Sequence, residues 1–174
     1  GISPIYEPGL DELIKKNYKA KRLYFTSDLK KAISVSDIIF ICVGTPNIKG
    51  SLQVDLSFVL KCTKEILSIT KKKKIIVTKS TVPVGTGDQI EYILKKKKRL
   101  FSVISNPEFL REGEAIRDFR YPDRIVIGSN NKSEFKIMKK LYSPLINKGA
   151  KFFSTSRRGA ELIKYAANAF LATK

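Results

Sequence analysis

Short apolar runs recur along this chain between stretches of helical period, and that alternation limits the folds open to it. Asp37-Ile38-Ile39-Phe40-Ile41-Cys42-Val43 is continuously apolar after its first residue, the mark of a strand buried on both faces. Ile75–Thr78, Phe101–Ser105, Arg124–Gly128 and Lys151–Phe153 repeat the signal, and Leu23–Phe25 is a shorter extended piece. Helical patterns lie between them. Pro8–Lys16 carries Leu10, Leu13 and Ile14 on one side, with Pro8 where a first-turn proline is tolerated. Ser27 is placed to cap a helix reaching Val35. Further helices are expected over Asp55–Thr70, Thr86–Lys97, Glu108–Phe119, Ser133–Ile146 and Ser156–Lys174. Apolar strands alternating with helices imply a parallel sheet covered on both faces, so the expected class is α/β, doubly wound. Ligands of such sheets bind beyond the carboxyl ends of the strands. That rule selects Gly44–Asn47, Lys79–Gly87, Ser105–Glu112 and the turn at Gly128.

Length and charge narrow the function classes. The 174 residues amount to about one domain, and 34 Lys and Arg against 16 Asp and Glu leave a formal charge of +18. Such an excess invites a basic nucleic-acid-binding reading. The dense runs Lys71–Lys74 and Lys95–Arg99 instead close helical patterns and lead into strands, where cations complement the helix dipole in solvated turns. Neither run is interleaved with aromatic residues, so no nucleic-acid partner is expected, and an attraction for anionic small ligands remains. Histidine is absent, which excludes imidazole acid–base chemistry and His-ligated metals, and no metal is expected. Cys42, in the buried strand, and Cys62, in a helix, read as structural. No apolar run approaches the roughly 18 residues needed to span a bilayer, and no signal peptide opens the chain. A soluble cytoplasmic protein is expected. The opening glycine and a helix that reaches the last residue suggest a piece of a longer protein.

Three constellations could carry chemistry. The loop Lys79-Ser80-Thr81-Val82-Pro83-Val84-Gly85-Thr86-Gly87 has the small and hydroxyl residues that let a phosphate or a water approach free backbone N–H groups. A plain tight turn explains its glycines equally, since Ile90 stands where a dinucleotide fingerprint needs a third glycine. Glu108 and Glu112, four apart, share one face if their segment is helical. Such a pair suits a proton acceptor for water, or simply an acidic first turn. Lys164 and Asn168, also four apart, lie in a largely apolar terminal helix expected to be buried all round. The lysine there either pairs with Glu161 on its own helix or, with Asn168, faces an anion or alkoxide.

The residues also carry a resemblance. Six blocks, PIYEPGLDEL at 4–13, FICVGTP at 40–46, KSTVPVGTG at 79–87, SNPEFLREG at 105–113, YPDRIVIG at 121–128 and ELIKYAANAFLATK at 161–174, make the chain similar to the UDP-glucose/GDP-mannose dehydrogenase family from end to end. PEFLREG followed by PDRIVIG looks like the UDP-glucose branch rather than the GDP-mannose or UDP-N-acetylhexosamine branches. The resemblance implies a Rossmann-like fold and oxidation of the C6 alcohol of UDP-glucose to UDP-glucuronate. Two NAD are used, through a thioester on a cysteine. It implies NAD contacts from Val43, Gly44, Thr45, Pro46, Asn47, Ser80, Thr81, Val82 and Glu112. It implies sugar contacts from Glu108, Phe109, Leu110, Arg111, Glu112, Lys164 and Asn168. By the same resemblance Thr81 holds the catalytic water, Glu108 is the acid–base of hydrolysis, and Glu112 lies near the nicotinamide and that water. Lys164 steadies the C6 oxyanion, with Asn168 as its amide partner.

The family's glycine-rich phosphate loop and its nucleophilic cysteine match no segment of this sequence, and neither Cys42 nor Cys62 lies in a matching context. Residues 1–154 are therefore expected to be an incomplete NAD-binding domain and 155–174 the start of a central helical domain. The family's homodimer forms through that central helix. The 174 residues alone are expected to show no turnover.

Overall fold

Adjacent residues of one strand fall into different cores, and this sets the layers of the molecule. The computed structural model describes residues 3–174, the Lys98 side chain excepted. Its single sheet runs in the spatial order β1 (Ile38–Ile41), β2 (Lys74–Thr78), β3 (Phe101–Ser105), β4 (Arg124–Gly128), β5 (Lys151–Thr155). Ile75 and Val77 of β2 pack into one cluster with Ile104, Ile127 and Met138. Ile76, between them, packs into a second cluster with Val59, Ile66, Ile90 and Leu94. Period-two alternation therefore puts a core on each side of the sheet. α2 (Leu29–Val35), α3 (Ser57–Ile69) and α4 (Thr86–Leu94) cover one side. α6 (Lys132–Leu141) and α7 (Ser143–Ile146) cover the other.

The α/β class holds, and one feature of the sheet departs from expectation. β1, β2 and β3 are parallel, and β4 and β5 are parallel to each other. β3 and β4 are antiparallel and meet at a single pair, Ser105 opposite Gly128. A parallel return needs a crossover of a dozen or more residues, usually a helix. Here the chain after β3 stays at the sheet's end as a loop, and only α5 (Ala115–Arg120) is helical. Gly113, with φ 82°, interrupts the helix expected over Glu108–Phe119.

Other differences are local. β1 is not buried on both faces: Phe40 is 37% exposed and Cys42 is exposed, because β1 is the edge of this sheet. Leu23–Phe25 forms no strand, and Tyr24 and Phe25 face solvent. Asp28, not Ser27, caps α2, its side chain accepting from Lys31 N at 2.9 Å. α1 (Leu10–Lys19) starts later than expected, after Gly9 at φ 81°, and buries no residue. α4 gives way to a 3-10 turn over Lys95–Leu100 with Lys97 outside helical geometry. The helix expected over Ser133–Ile146 divides at Tyr142, where Pro144 enters the first turn of α7.

The lysine runs are not wholly solvated. Lys74 is 3% exposed, and its Nζ donates to the carbonyls of Ser34, at 3.3 Å, and Ser36, closing the end of α2. Lys97 Nζ donates to the carbonyls of Leu67 at 3.0 Å and Thr70 at 3.2 Å, closing α3. Carbonyls at a helix end have no intrahelical donor, and these cations supply one from a neighbouring element.

α8 (Arg157–Thr173) buries one face only, made of Arg157, Ala160, Glu161 and Lys164. Leu162, Ile163, Phe170 and Leu171 are exposed, against the expectation of a helix buried all round. The inward residues recur every three or four positions, as a helix touching the sheet along one stripe requires. At Gly128 that contact is so close that a Cβ would lie 2.6 Å from Ala160 Cβ and 2.7 Å from the Ser156 carbonyl oxygen. Among the described residues no helix is long and apolar enough to cross a membrane.

Candidate active site

Two loops leave the carboxyl ends of adjacent parallel strands and are laced together. After β1, Val43 accepts from Ser80 Oγ at 2.6 Å. Thr45 Oγ1 donates to the Thr81 carbonyl at 2.8 Å. Pro46 accepts from Asp55 N at 2.7 Å, and Asn47 bridges to Val54, so the loop turns back on itself. A Cβ on Gly44 would meet nothing within 4 Å, leaving open space over the backbone there. Ser80, Thr81 and Val82 thus stand against Val43–Asn47, the juxtaposition that the strand-end rule anticipates.

Beside them lies a cleft of about 630 Å³ between the β3–β4 connection and α8. Lys164, its side chain 8% exposed, places Nζ 3.2 Å from Glu108 Oε1. Glu108 Oε2 accepts from Leu110 N at 2.8 Å, so both carboxylate oxygens are held. Phe109 lies between two cations, with Arg124 Cζ 4.6 Å and Lys164 Nζ 5.3 Å from its ring centroid. Arg111 grips Asp118 through Nε at 3.0 Å and a second guanidinium nitrogen at 2.8 Å, closing the loop's outer wall. That pair holds the Asp118 carboxyl below its usual range.

Of the residues singled out in the sequence, Glu108, Phe109, Leu110, Arg111, Lys164 and Asn168 all line this cleft. Thr81 joins Lys164 at a smaller void deeper in the same region. Glu112 does not join them. It is exposed and lines no part of the cleft, because its segment is a loop rather than the first turn of a helix. Lys164 pairs with Glu108, not with Glu161 of its own helix.

Three contributors were not singled out in the sequence. Lys79 lines the cleft, and burial pushes its ammonium down to about 8, opposed by the charges of Glu108 and Cys42 and aided by Lys164. Asn106, 1% exposed, accepts from Tyr142 Oη at 2.6 Å and donates to the Val126 carbonyl at 3.0 Å. This buried network anchors the start of the Pro107–Glu108 turn, and burial lifts the Tyr142 phenol to about 12. Arg124 reaches the cleft from the first position of β4, an otherwise apolar strand. Among the described residues no cluster of three or more Cys, Asp or Glu is placed to hold a metal.

A desolvated ammonium held against a carboxylate, at the mouth of two strand-end loops, can stabilise negative charge developing on a bound oxygen. Five cationic side chains line this cleft (Lys79, Arg111, Arg117, Arg124 and Lys164) against three carboxylates (Glu108, Asp118 and Asp123), so the excess is positive and an anionic ligand suits it.

Residues 1–146 match the model for the UDP-glucose/GDP-mannose dehydrogenase family, NAD binding domain. The UDP-glucose 6-dehydrogenase of Rhizobium meliloti is 49% identical over 179 residues, covering 100% of this chain and 41% of that protein. UDP-glucose 6-dehydrogenase TuaD of Bacillus subtilis is 48% identical over 177 residues, covering 100% of this chain and 38% of that protein. Among solved structures, the GDP-mannose dehydrogenase of Pseudomonas aeruginosa superposes with a TM-score of 0.89 at 37% identity, covering 98% of this chain and 40% of that one. The UDP-glucose dehydrogenase of Pyrobaculum islandicum gives 0.89 at 36% identity, covering 97% and 40%. The chain therefore spans about 40% of the length of the relatives it matches. Matched along most of its length by the family's NAD-binding domain, the chain belongs to the UDP-glucose/GDP-mannose dehydrogenase family.

Proposed function

We propose that the protein carrying this chain oxidises the C6 alcohol of UDP-glucose to UDP-glucuronate in two NAD-dependent steps. The buried Lys164 ammonium 3.2 Å from Glu108, at the strand-end cleft, carries this reading. The UDP-glucose branch is favoured over its GDP-mannose and UDP-N-acetylhexosamine siblings because the curated relatives near half identity bear the UDP-glucose name.

The residues present fit NAD. The laced loops Val43–Asn47 and Ser80–Val82 offer backbone at two adjacent strand ends with free space over Gly44. NAD, when bound, supplies the acceptor for the hydride that leaves C6. Lys164 stabilises the charge that develops on O6, and its burial makes that interaction stronger than a solvated lysine could offer. Asn168 lines the same cleft one turn further along α8 and supplies an amide donor to the same oxygen. Thr81 orients the water that releases the product acid from its thioester, and Glu108 accepts that water's proton. Neither Cys42 nor Cys62 lines the cleft, so the thioester cysteine is not one of them. Glu112, exposed in this structure, is assigned no step. Residues 155–174 begin the central helical domain of the whole protein, and the exposed apolar residues of α8 support a homodimer formed through that helix.

The test is turnover by the full-length protein. With UDP-glucose and NAD it is expected to yield two NADH per sugar nucleotide. Lys164→Ala should lower kcat by about 100- to 1,000-fold. Oxidation of GDP-mannose in preference to UDP-glucose would move the protein to the sibling branch, and no NADH with any sugar nucleotide would sink the reading.

A further inference from the structure

Glu161 is 3% exposed, and its carboxylate makes three bonds, none within its own helix. Oε2 accepts from Gly85 N at 2.7 Å, and Oε1 accepts from Gly87 N at 2.8 Å and from Ser105 Oγ at 3.2 Å. Gly85 and Gly87 open α4, where no side chain of the N-cap residue supplies an acceptor. The unpaired N–H groups of that first turn are therefore satisfied from α8, more than 70 residues later in the chain. Thr81 lies on the loop that leads into those glycines, and Lys164 stands three residues after Glu161 on the same inward stripe of α8. A void of about 10 Å³ is lined by Thr81, Ser105, Glu161 and Lys164 together, so the tie passes beside both functional groups.

We propose that Glu161 is a positioning residue: its carboxylate binds the Thr81 loop to the helix that carries Lys164 and fixes the distance between hydroxyl and ammonium. The proposal rests on the function proposed above for Thr81 and Lys164, while the tie itself is a feature of the fold. A second tie joins the same two helices without touching the loop. Arg157 pairs with Asp88 at 2.8 Å and Glu91 at 2.5 Å, and Arg158 pairs with Asp88 at 2.6 Å. The helices thus stay packed when Glu161 is altered, and what the alteration releases is the loop. A glutamine there keeps one acceptor but turns an NH2 toward the other backbone donor, so one of the two glycine bonds must break.

In the full-length enzyme, Glu161→Gln is expected to lower kcat about 10- to 100-fold with KM values for UDP-glucose and NAD little changed. Gly87→Ala perturbs the tie without altering the carboxylate, since its Cβ would lie 3.0 Å from Glu161 Oε1, and because that Cβ also comes within 3.2 Å of Arg157 Cδ a fall in kcat of the same kind should be accompanied by some loss of stability. Combining Glu161→Gln with Thr81→Ala should cost less than the product of the two single losses, because both act on one water. Hydrogen exchange gives a readout free of activity: the Gly85 and Gly87 amides should both be protected in the unaltered protein, and one of the two should lose protection in Glu161→Gln. Free exchange of those amides in the unaltered protein, an unchanged kcat in Glu161→Gln, or fully multiplicative losses would overturn the proposal. If the unaltered enzyme does not oxidise UDP-glucose, the functional reading fails, and amide exchange still decides whether the tie exists.

Discussion

At the carboxyl end of β2, Lys79 illustrates how burial sets the charge of the cleft. Its ammonium falls to about 8 from an ordinary 10.5, first because of burial and then despite Glu108 and Cys42, with Lys164 adding repulsion. Below pH 8 the amine is charged in both folded and unfolded chains. Between about 8 and 10.5 it is neutral when folded and charged when unfolded, so its contribution to stability rises with pH across that window. The cleft, by contrast, loses one positive charge as pH passes 8. In the full-length enzyme, KM for UDP-glucose should therefore rise above pH 8, and Lys79→Met should remove that step from the profile. A step that persists unchanged in the variant would show that another group titrates there. Lys79 and Asn106 lie in segments that the strand-end rule selects, but their burial and the pairing with Tyr142 could not be read from sequence, because these depend on partners distant in the chain.

At the scale of elements, strand positions were legible and helix limits less so. Phe101–Ser105 and Arg124–Gly128 form as expected, since an apolar run between turn residues leaves the strand little choice. The segment Glu108–Phe119 reads as a helix by composition, yet most of it is loop. Its carboxylates accept from backbone N–H groups of the segment itself, and Glu108 pairs with Lys164 across the cleft, contacts that outweigh a propensity worth only tenths of a kcal/mol per residue. The antiparallel seam was likewise hidden, because apolar patterning fixes which face a strand buries and not the direction it runs. Gly128 marks the seam. Its replacement by alanine would drive a Cβ into the backbone of α8, 2.7 Å from the Ser156 oxygen and 2.9 Å from Arg157 Cα. Gly128→Ala should lower stability by about 1–3 kcal/mol, measurable in denaturant unfolding of the full-length protein. A variant as stable as the parent would mean that α8 yields at this contact without cost.

Across the whole molecule, the +18 charge divides into parts with different tasks. Some cations close helix ends, as Lys74 and Lys97 do, and others gather at the cleft. The apolar excess divides similarly. Residues such as Ile76 and Ile104 fill the two cores, while Leu162 and Phe170 stand 57% and 68% exposed on the outer side of α8. Covering a large side chain contributes about 1.5–3 kcal/mol, so this stripe is a strong source of association. If the full-length protein forms the homodimer proposed above, the double variant Leu162→Glu/Phe170→Glu should shift it toward monomer in sedimentation velocity, and a dimer unchanged by it would place the interface elsewhere.

The meeting of Ser105 and Gly128 has a mechanical side. Inside each half of the sheet, ladders of backbone hydrogen bonds resist twisting, whereas across the junction one residue pair and the bond from the Asn106 amide to the Val126 carbonyl do so. The seam is thus the most sparsely bonded line of the sheet and its natural pivot, and the cleft lies beside it. α8 lies over that pivot like a splint, Ala160 against Gly128 on one half and Glu161 bonded to Ser105 on the other. The two halves of the sheet are therefore held together beside the cleft as much by one helix and its two adjacent residues as by the strands' own pairing.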